Sequence, residues 1–259
     1  MGVRRSASAL ASDEAAGLRA GFNALYALGD ERGYGYFAGL HGLPLPSYCE
    51  HGTSLFLPWH RAYLYMFERA LQDQAPAIDV PWWDWSSGAA HRQGLPAVFA
   101  ARNVDGRPNP LGSAPVTLGP ADLARVRERL PGAITAGRSP RTRRDPDLPS
   151  ELPRQVTLQR LAAARTFADF TMLAEGIHNS VHGWVGGAMS AVPVAAYDPI
   201  FWAHHAMIDR LWYLWQIGPN GVDPTAGLLD RALPPFPLTV RDTLDIAALG
   251  YSYAARVVG

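Results

Sequence analysis

The chain has 259 residues, 48% of them hydrophobic, with 23 basic side chains against 23 acidic ones and a single cysteine, Cys49. This length suits one large domain or two small ones with a sizeable core. Balanced charge excludes the strong field of a nucleic-acid binder, and one cysteine excludes an internal disulfide. Gly, Pro or charge breaks every apolar run short of bilayer length, so no membrane span is expected. No apolar core follows Met1-Gly-Val-Arg-Arg-Ser6, so no secretory signal is read there. A soluble, cytoplasmic protein is expected, with export by a partner or a removed signal left open.

In chain order, the first helix is predicted over residues 12–28. Ser12 is its N-cap, Asp13 and Glu14 lie in the first turn, Leu18, Phe22 and Leu25 share a face, and Gly29 closes it. A Gly/Tyr-rich stretch then leads to His41, where Gly42-Leu-Pro44 ends a helix. Residues 58–72 form the next helix, with Pro58 in its first turn and Leu64, Phe67 and Leu71 on its apolar face. Residues 86–157, rich in Pro, Gly, Ser and Arg, are expected to make a long surface excursion with one short helix near 121–130. Within it the basic run 138–144 reads as a solvated loop. Helices resume over 165–184 and 198–216, the latter with Trp202, Trp212 and Trp215 as core residues. Strand signals are weak, and no repeat of fixed period occurs. The expectation is a mainly α fold, a four-helix bundle core with long irregular loops, in a single domain over 1–259. Facing helices of such a bundle project ligands into a common interior.

Seven of the eight histidines fall in two stretches: His41, His51 and His60, then His178, His182, His204 and His205, with His91 apart. Imidazole is the commonest metal ligand in proteins. Two sets of three imidazoles, with no carboxylate or thiolate clearly among them, point to two similar ions held close together, and nitrogen donors suit copper. His178 and His182, four apart on a helix, share a face and can hold one ion. Glu175 and Asn179 share that face, and a carboxylate beside an amide can hold a water near the metal. The helical zinc-protease motif His-Glu-x-x-His requires glutamate where Asn179 stands, which argues against zinc. The adjacent His204 and His205 point about 100° apart, so only one readily joins the same ion. Asp209, four after His205, can orient that region. No pair in the first set has helical spacing, so a long-range fold must gather it.

These residues sit in an ordered series of motifs: His41-Gly-Leu-Pro, Cys49-Glu-His51, Trp59-His60-Arg61, Pro81-Trp-Trp-Asp-Trp85, His178-Asn-Ser-Val-His182-Gly-Trp-Val-Gly-Gly187 and Asp198-Pro-Ile-Phe-Trp-Ala-His-His205. The series resembles the tyrosinase and polyphenol oxidase group of type 3 copper proteins, which includes catechol oxidases and is related to the hemocyanins. The resemblance covers nearly the whole chain. It implies two copper ions, the first on His41, His51 and His60, the second on His178, His182 and His205. His204 then stands behind the ligands, as does Asp209. A thioether between Cys49 and the His51 ring is implied, as in many fungal and plant members. The resemblance further implies that Glu175 and Asn179 hold a water that deprotonates phenols. It makes Gly183 a position that influences substrate choice, and it makes 188–194 an entrance loop that sets Met189 and Val192 against substrate. Trp82 departs from the pattern, which usually has tyrosine there, an exchange expected to concern packing. Tyr251-Ser-Tyr253 resembles the signature closing the family's catalytic domain, with Arg4 or Arg5 as its partner. The chain stops soon after, so no C-terminal shielding domain is expected and the site should be open unless a partner covers it.

The activity so implied is hydroxylation of monophenols and oxidation of o-diphenols to o-quinones. Its partners would be dioxygen, small phenolic substrates and a copper-loading helper protein. One rival is an oxidase of catechols or o-aminophenols that cannot hydroxylate. A rival of another class is a reversible oxygen carrier. The glycine beside the second copper counts against that, since a carrier must bar phenols from its oxygen.

Overall fold

A computed structural model describes residues 1–254. The elements run β1 (Gly2–Arg4), α1 (Ser12–Ala27), α2 (Tyr34–His41), α3 (Phe56–Gln74), α4 (Ala90–Gln93), α5 (Ala97–Ala100), β2 (Asn103–Val104), β3 (Arg107–Pro108), α6 (Pro120–Arg129), α7 (Gln155–Ala162), α8 (Phe167–Val185), α9 (Val192–Ala195), α10 (Ile200–Gln216), α11 (Ala226–Leu229) and β4 (Tyr251–Tyr253). The fold is mainly α, as expected. The central helix α3 packs against α1, α8 and α10. Its predicted face holds: Leu64, Phe67 and Leu71 are buried, and the Phe67 ring stacks on Trp202 with centroids 3.5 Å apart. Trp212 and Trp215 are buried as predicted, and so is Trp82, whose ring carries the Arg210 guanidinium 4.2 Å above it. No described helix is long and apolar enough to cross a membrane.

The helix ends follow local chemistry. Ser12 is the first residue of α1 rather than its cap. The cap position is Ala11, which has no side-chain acceptor, and the Glu14 carboxylate instead takes the Ala11 N–H at 2.8 Å. Helix α8 does have a side-chain cap: Thr166 Oγ1 accepts the Asp169 N–H at 3.1 Å and donates to the Asp169 carboxylate at 2.7 Å. Thr166→Ala is therefore expected to lower stability by about 1 kcal/mol, read as a shift in the denaturant midpoint with an unchanged slope; an unaltered midpoint would show that the cap contributes nothing. At the other end of α8, Gly186 (φ +65°) and Gly187 (φ +56°) turn the chain sharply. A Cβ there would lie 2.4 Å from the Asp145 carbonyl oxygen and 2.1 Å from that of Arg143, so only glycine fits.

The excursion is more integrated than its composition suggests. It carries α4, α5, α6 and a two-residue hairpin, and α7 begins inside it unpredicted. Its scattered apolar residues, among them Phe99, Leu111, Val116, Val126 and Ile134, join the same core cluster as the bundle. The basic run is not wholly solvated either. Arg144 is buried against Asp198, with Nε 2.8 Å from one carboxylate oxygen and 2.9 Å from the other, and it also donates to the carbonyls of Phe99 and Leu111. Asp198 in turn accepts the Ile200 N–H at 3.1 Å, at the start of α10. The loop thus pins the helix that carries His204 and His205.

Strands β1 and β4 pair in parallel, Gly2 with Tyr251 and Arg4 with Tyr253. This pairing settles which arginine meets the Tyr-x-Tyr segment. Arg4 is fully buried, 3.6 Å above the Tyr251 ring, whereas Arg5 lies at the surface against Glu14. Arg4 also pairs with Glu68 at 2.9 Å and Asp209 at 3.0 Å.

Candidate metal centre

Four helices and one loop deliver the histidines. His41 is the last residue of α2, His60 lies in the second turn of α3, His178 and His182 sit one turn apart on α8, and His204 and His205 lie on α10. His51 lies in the loop before α3, where the Gly52 N–H donates to the Glu175 carboxylate at 2.7 Å and ties that loop to α8. The fold gathers the first set as required. Ring centroids are 5.4 Å apart for His41 and His51, 5.3 Å for His51 and His60, and 5.8 Å for His41 and His60. In the second set they are 4.3 Å for His178 and His182, 4.8 Å for His178 and His205, and 5.7 Å for His182 and His205.

The hydrogen bonds fix how these rings face. Nδ1 of His60 donates to the Phe56 carbonyl at 2.8 Å, that of His182 to Met189 at 2.7 Å, and that of His41 to Val192 at 3.3 Å. His178 Nδ1 donates to Asn179 Oδ1 at 2.9 Å. Each Nε2 is then left with its lone pair, and those of His41, His60 and His182 are buried without a protein partner. A buried polar atom left in this state is costly unless something else binds it. Nε2 of His178 and of His205 lie 3.2 Å apart. Two nitrogens each about 2 Å from one first-row ion are separated by roughly that amount. The residues therefore fit a pair of metal ions.

His204 complicates the second set. Its ligand atom and those of His178 and His182 lie within 4.8 Å of one another, and neither of its ring nitrogens has a hydrogen-bond partner. Distance alone does not separate it from His205. Direction does: the His205 ring stacks on His60 at 4.7 Å and lies 6.3 Å from His41, so it faces the first set. The His204 ring lies against His178, His182 and Trp85. Asp209, one turn beyond His205, is bound by Arg61, Arg4 and the Tyr251 hydroxyl, the last at 2.8 Å. Burial pushes its carboxyl up, but Arg61 and Arg4 outweigh that and hold it below the ordinary value. Arg61 directly follows His60, so this network locks two ligand-bearing helices to each other and to β1 and β4. His91 lies apart, with Nε2 3.2 Å from the Pro153 carbonyl.

Burial, aided by neighbouring imidazoles, pushes His41, His60, His178, His204 and His205 well below the ordinary 6.5. Burial brings His182 down to about 4, against the opposing bond from Met189. His51 is lowered by burial too, opposed by Glu175 and Glu50. The imidazoles are thus neutral and ready to bind a metal at pH 7. In the unfolded chain they take up protons near 6.5, so the stability tied to their neutral form is complete above that value and is lost as pH falls towards about 4. The metal-free protein should show a level Tm above neutrality and a steep fall between those two values. A Tm that holds constant through this window would show the rings to be solvated.

Cys49 is half-buried, with Sγ 3.0 Å from His51 Nδ1 and 4.0 Å from Nε2, and burial first, then Glu50 and Glu175, push its thiol up to about 12. Above the rings opens a cleft of about 370 Å³, lined by His41, His51, His178, His182 and by Glu175, Asn179, Gly183, Met189, Ser190, Val192 and Ala195. Every residue predicted to contact substrate, or to hold the water beside it, is there. Met189 and Val192 also do something that the sequence did not reveal: their backbone carbonyls hold His182 and His41, one ring from each set. Sequence reading also missed Phe201, whose ring lies 4.1 Å from His205, 4.8 Å from His41 and 5.8 Å from His182, at the floor between the sets. Its place four residues before His205 was the available signal.

Four helices and one loop thus bring together two sets of neutral imidazoles, an arrangement that fits two metal ions on nitrogen donors. A family model described as the common central domain of tyrosinase matches residues 31–217. The chain is 32% identical over 230 residues to a tyrosinase of Streptomyces glaucescens, covering 76% of this chain and 78% of that protein. It is 30% identical over 230 residues to hemocyanin units G and H of Sepia officinalis, covering 83% of this chain but only 37% of the cuttlefish protein. Its structure is similar to that of a functional unit of octopus hemocyanin, with TM-score 0.79 and 26% identity over 98% of this chain and 68% of that one. The chain belongs to the tyrosinase family.

Proposed function

We propose that the protein is a type 3 copper oxidase that hydroxylates monophenols and oxidises o-diphenols to o-quinones with dioxygen. The observation that carries this reading is the pair of facing imidazole triads beneath a cleft open to a flat ring. His41, His51 and His60 would hold the first copper, and His178, His182 and His205 the second, all within one domain over 1–259. Copper held there would supply the two-electron redox chemistry, towards dioxygen and from a catechol, that the side chains themselves lack.

The chain's own residues do the rest. Glu175, beside Asn179 at the cleft wall, accepts the proton of a phenol hydroxyl, directly or through one water. Gly183 leaves the approach over His182 clear: a Cβ at that position would meet no atom within 4 Å. Met189 and Val192 frame the ring on the far side while their carbonyls keep His182 and His41 aimed. The small Gly183, Ser190 and Ala195 along the cleft favour an enzyme over an oxygen carrier, although carriers are among the relatives. The thioether belongs to the same reading. Copper loading under oxygen should lower the intact mass by two hydrogen atoms, as the Cys49 S–H and a ring C–H give way to a C–S bond. An unchanged mass would leave Cys49 a free thiol.

Oxygen uptake and quinone formation on tyramine and on catechol test the function itself. Turnover of both supports the full reading. Turnover of catechol alone reduces it to a catechol oxidase, and reversible oxygen binding without quinone would replace it with a carrier.

A further inference from the structure

Lysine is among the commonest residues of globular proteins, yet this sequence contains none: its 23 basic side chains are all arginine. Within this sequence no side chain is thereby a primary amine, and the one thiol is Cys49. Cys49 is half-buried against His51. Of the eight histidines, His41, His60, His178, His182, His204 and His205 are buried in the metal centre. His51 is a member of the first triad and faces His178 of the second, and His91 is half-buried with one ring nitrogen against a carbonyl. Positive charge at the surface is supplied by exposed arginines such as Arg32, Arg138, Arg143 and Arg241.

We propose that this chain is chemically resistant to the o-quinone it releases, because it carries no lysine side chain at which that product could attach. The inference rests on the oxidase reading above. An o-quinone is attacked at a ring carbon by a neutral amine or a thiolate. A C–N or C–S bond forms, and one quinone oxygen takes up the amine's proton (for a thiolate, a proton from solvent). The hydrogen on the attacked ring carbon passes to the other oxygen as the ring regains aromaticity. The product is a substituted catechol, so no further oxidant or reductant is needed. Lysine side chains are the usual protein amines for this step. With reference pKa values near 10.4 for lysine and at least 12.5 for arginine, the neutral fraction at pH 7 is on the order of a hundredfold larger for lysine. The guanidinium is also delocalised, which dulls it further as a nucleophile. Arginine throughout therefore keeps charge and solubility while removing the sites at which the product would attach to its own source.

The test compares the wild-type protein with a variant carrying Arg32→Lys, Arg138→Lys and Arg143→Lys, three exposed positions outside the cleft. Both are exposed to o-benzoquinone generated from catechol with periodate and are read by intact mass and peptide mapping. Wild type is expected to gain at most two adducts, on the α-amine and Cys49. The variant is expected to gain adducts at all three new amines, each forming on the order of a hundred times faster than at any arginine, as the neutral fractions set. Wild-type adducts spread over arginine or histidine, or a variant modified no more than wild type, would overturn the proposal. A second arm lets each protein make its own quinone from catechol and oxygen with glycine present as the outside amine. Glycine-trapped product with an unmodified enzyme is expected, and self-modification of wild type in preference to trapping would overturn the proposal. Absence of any quinone in this arm overturns the oxidase reading instead, since the first arm supplies the electrophile independently.

Discussion

Replacing His205 with alanine is expected to leave one copper per chain and no detectable turnover, whereas His204→Asn keeps two. The two rings are neighbours on α10 and both approach His178. Only His205 reaches towards the first triad, stacked on His60, with its Nε2 3.2 Å from that of His178. An ion on His178 and His205 would be held on the side that faces the first triad. An ion held by His178, His182 and His204 would lie on the side of Trp85. His204 still supports the ring it stacks on, so its loss should cost about 10–100-fold in copper affinity or activity, the usual penalty for a residue behind the ligands. The opposite pattern, with copper lost from the His204 variant and retained in the His205 variant, would reassign the second site.

Glu175→Gln should cut monophenol hydroxylation by about 10²–10⁴-fold while leaving catechol oxidation nearly intact. The glutamate has two tasks that this substitution separates. Its carboxylate accepts the Gly52 N–H beside His51, and a glutamine oxygen can do the same. Only the carboxylate can take a proton from a phenol. A monophenol arrives with its hydroxyl protonated and must lose that proton before the ring is attacked, while a catechol is the easier substrate. Glu175→Ala should additionally loosen the His51 loop and lower copper content. Equal loss on both substrates in the glutamine variant, at full copper content, would remove the proton-transfer role and leave Glu175 as a brace for the loop.

The long helices and the pair His178 and His182 were legible because they obey a local code. Apolar residues recur at helical spacing in α3, and His178 and His182 sit one turn apart, so periodicity alone places them. His41 and His51 have no such relation; only tertiary packing brings their rings to within 5.4 Å, and motif resemblance, not spacing, identified them. The excursion was misread for a related reason. Phe99, Leu111, Val116 and Val126 each come from a different short segment, so no window shows a periodic face, yet together they join the core. Arg144 looked like part of a solvated run because its partner, Asp198, is 54 residues away. The grip of the Met189 and Val192 carbonyls on His182 and His41 is invisible in side-chain chemistry, because backbone acceptors are the same at every residue.

The proposed oxidase requires two neighbouring copper ions held by six imidazoles. Copper analysis of the loaded protein, with absorbance recorded as oxygen is admitted to its reduced form, tests this most directly. The expected result is two copper ions per chain and an intense near-ultraviolet band that appears with oxygen and decays when catechol is added. One copper or none per chain after loading, or two without an oxygen-dependent band, would contradict it.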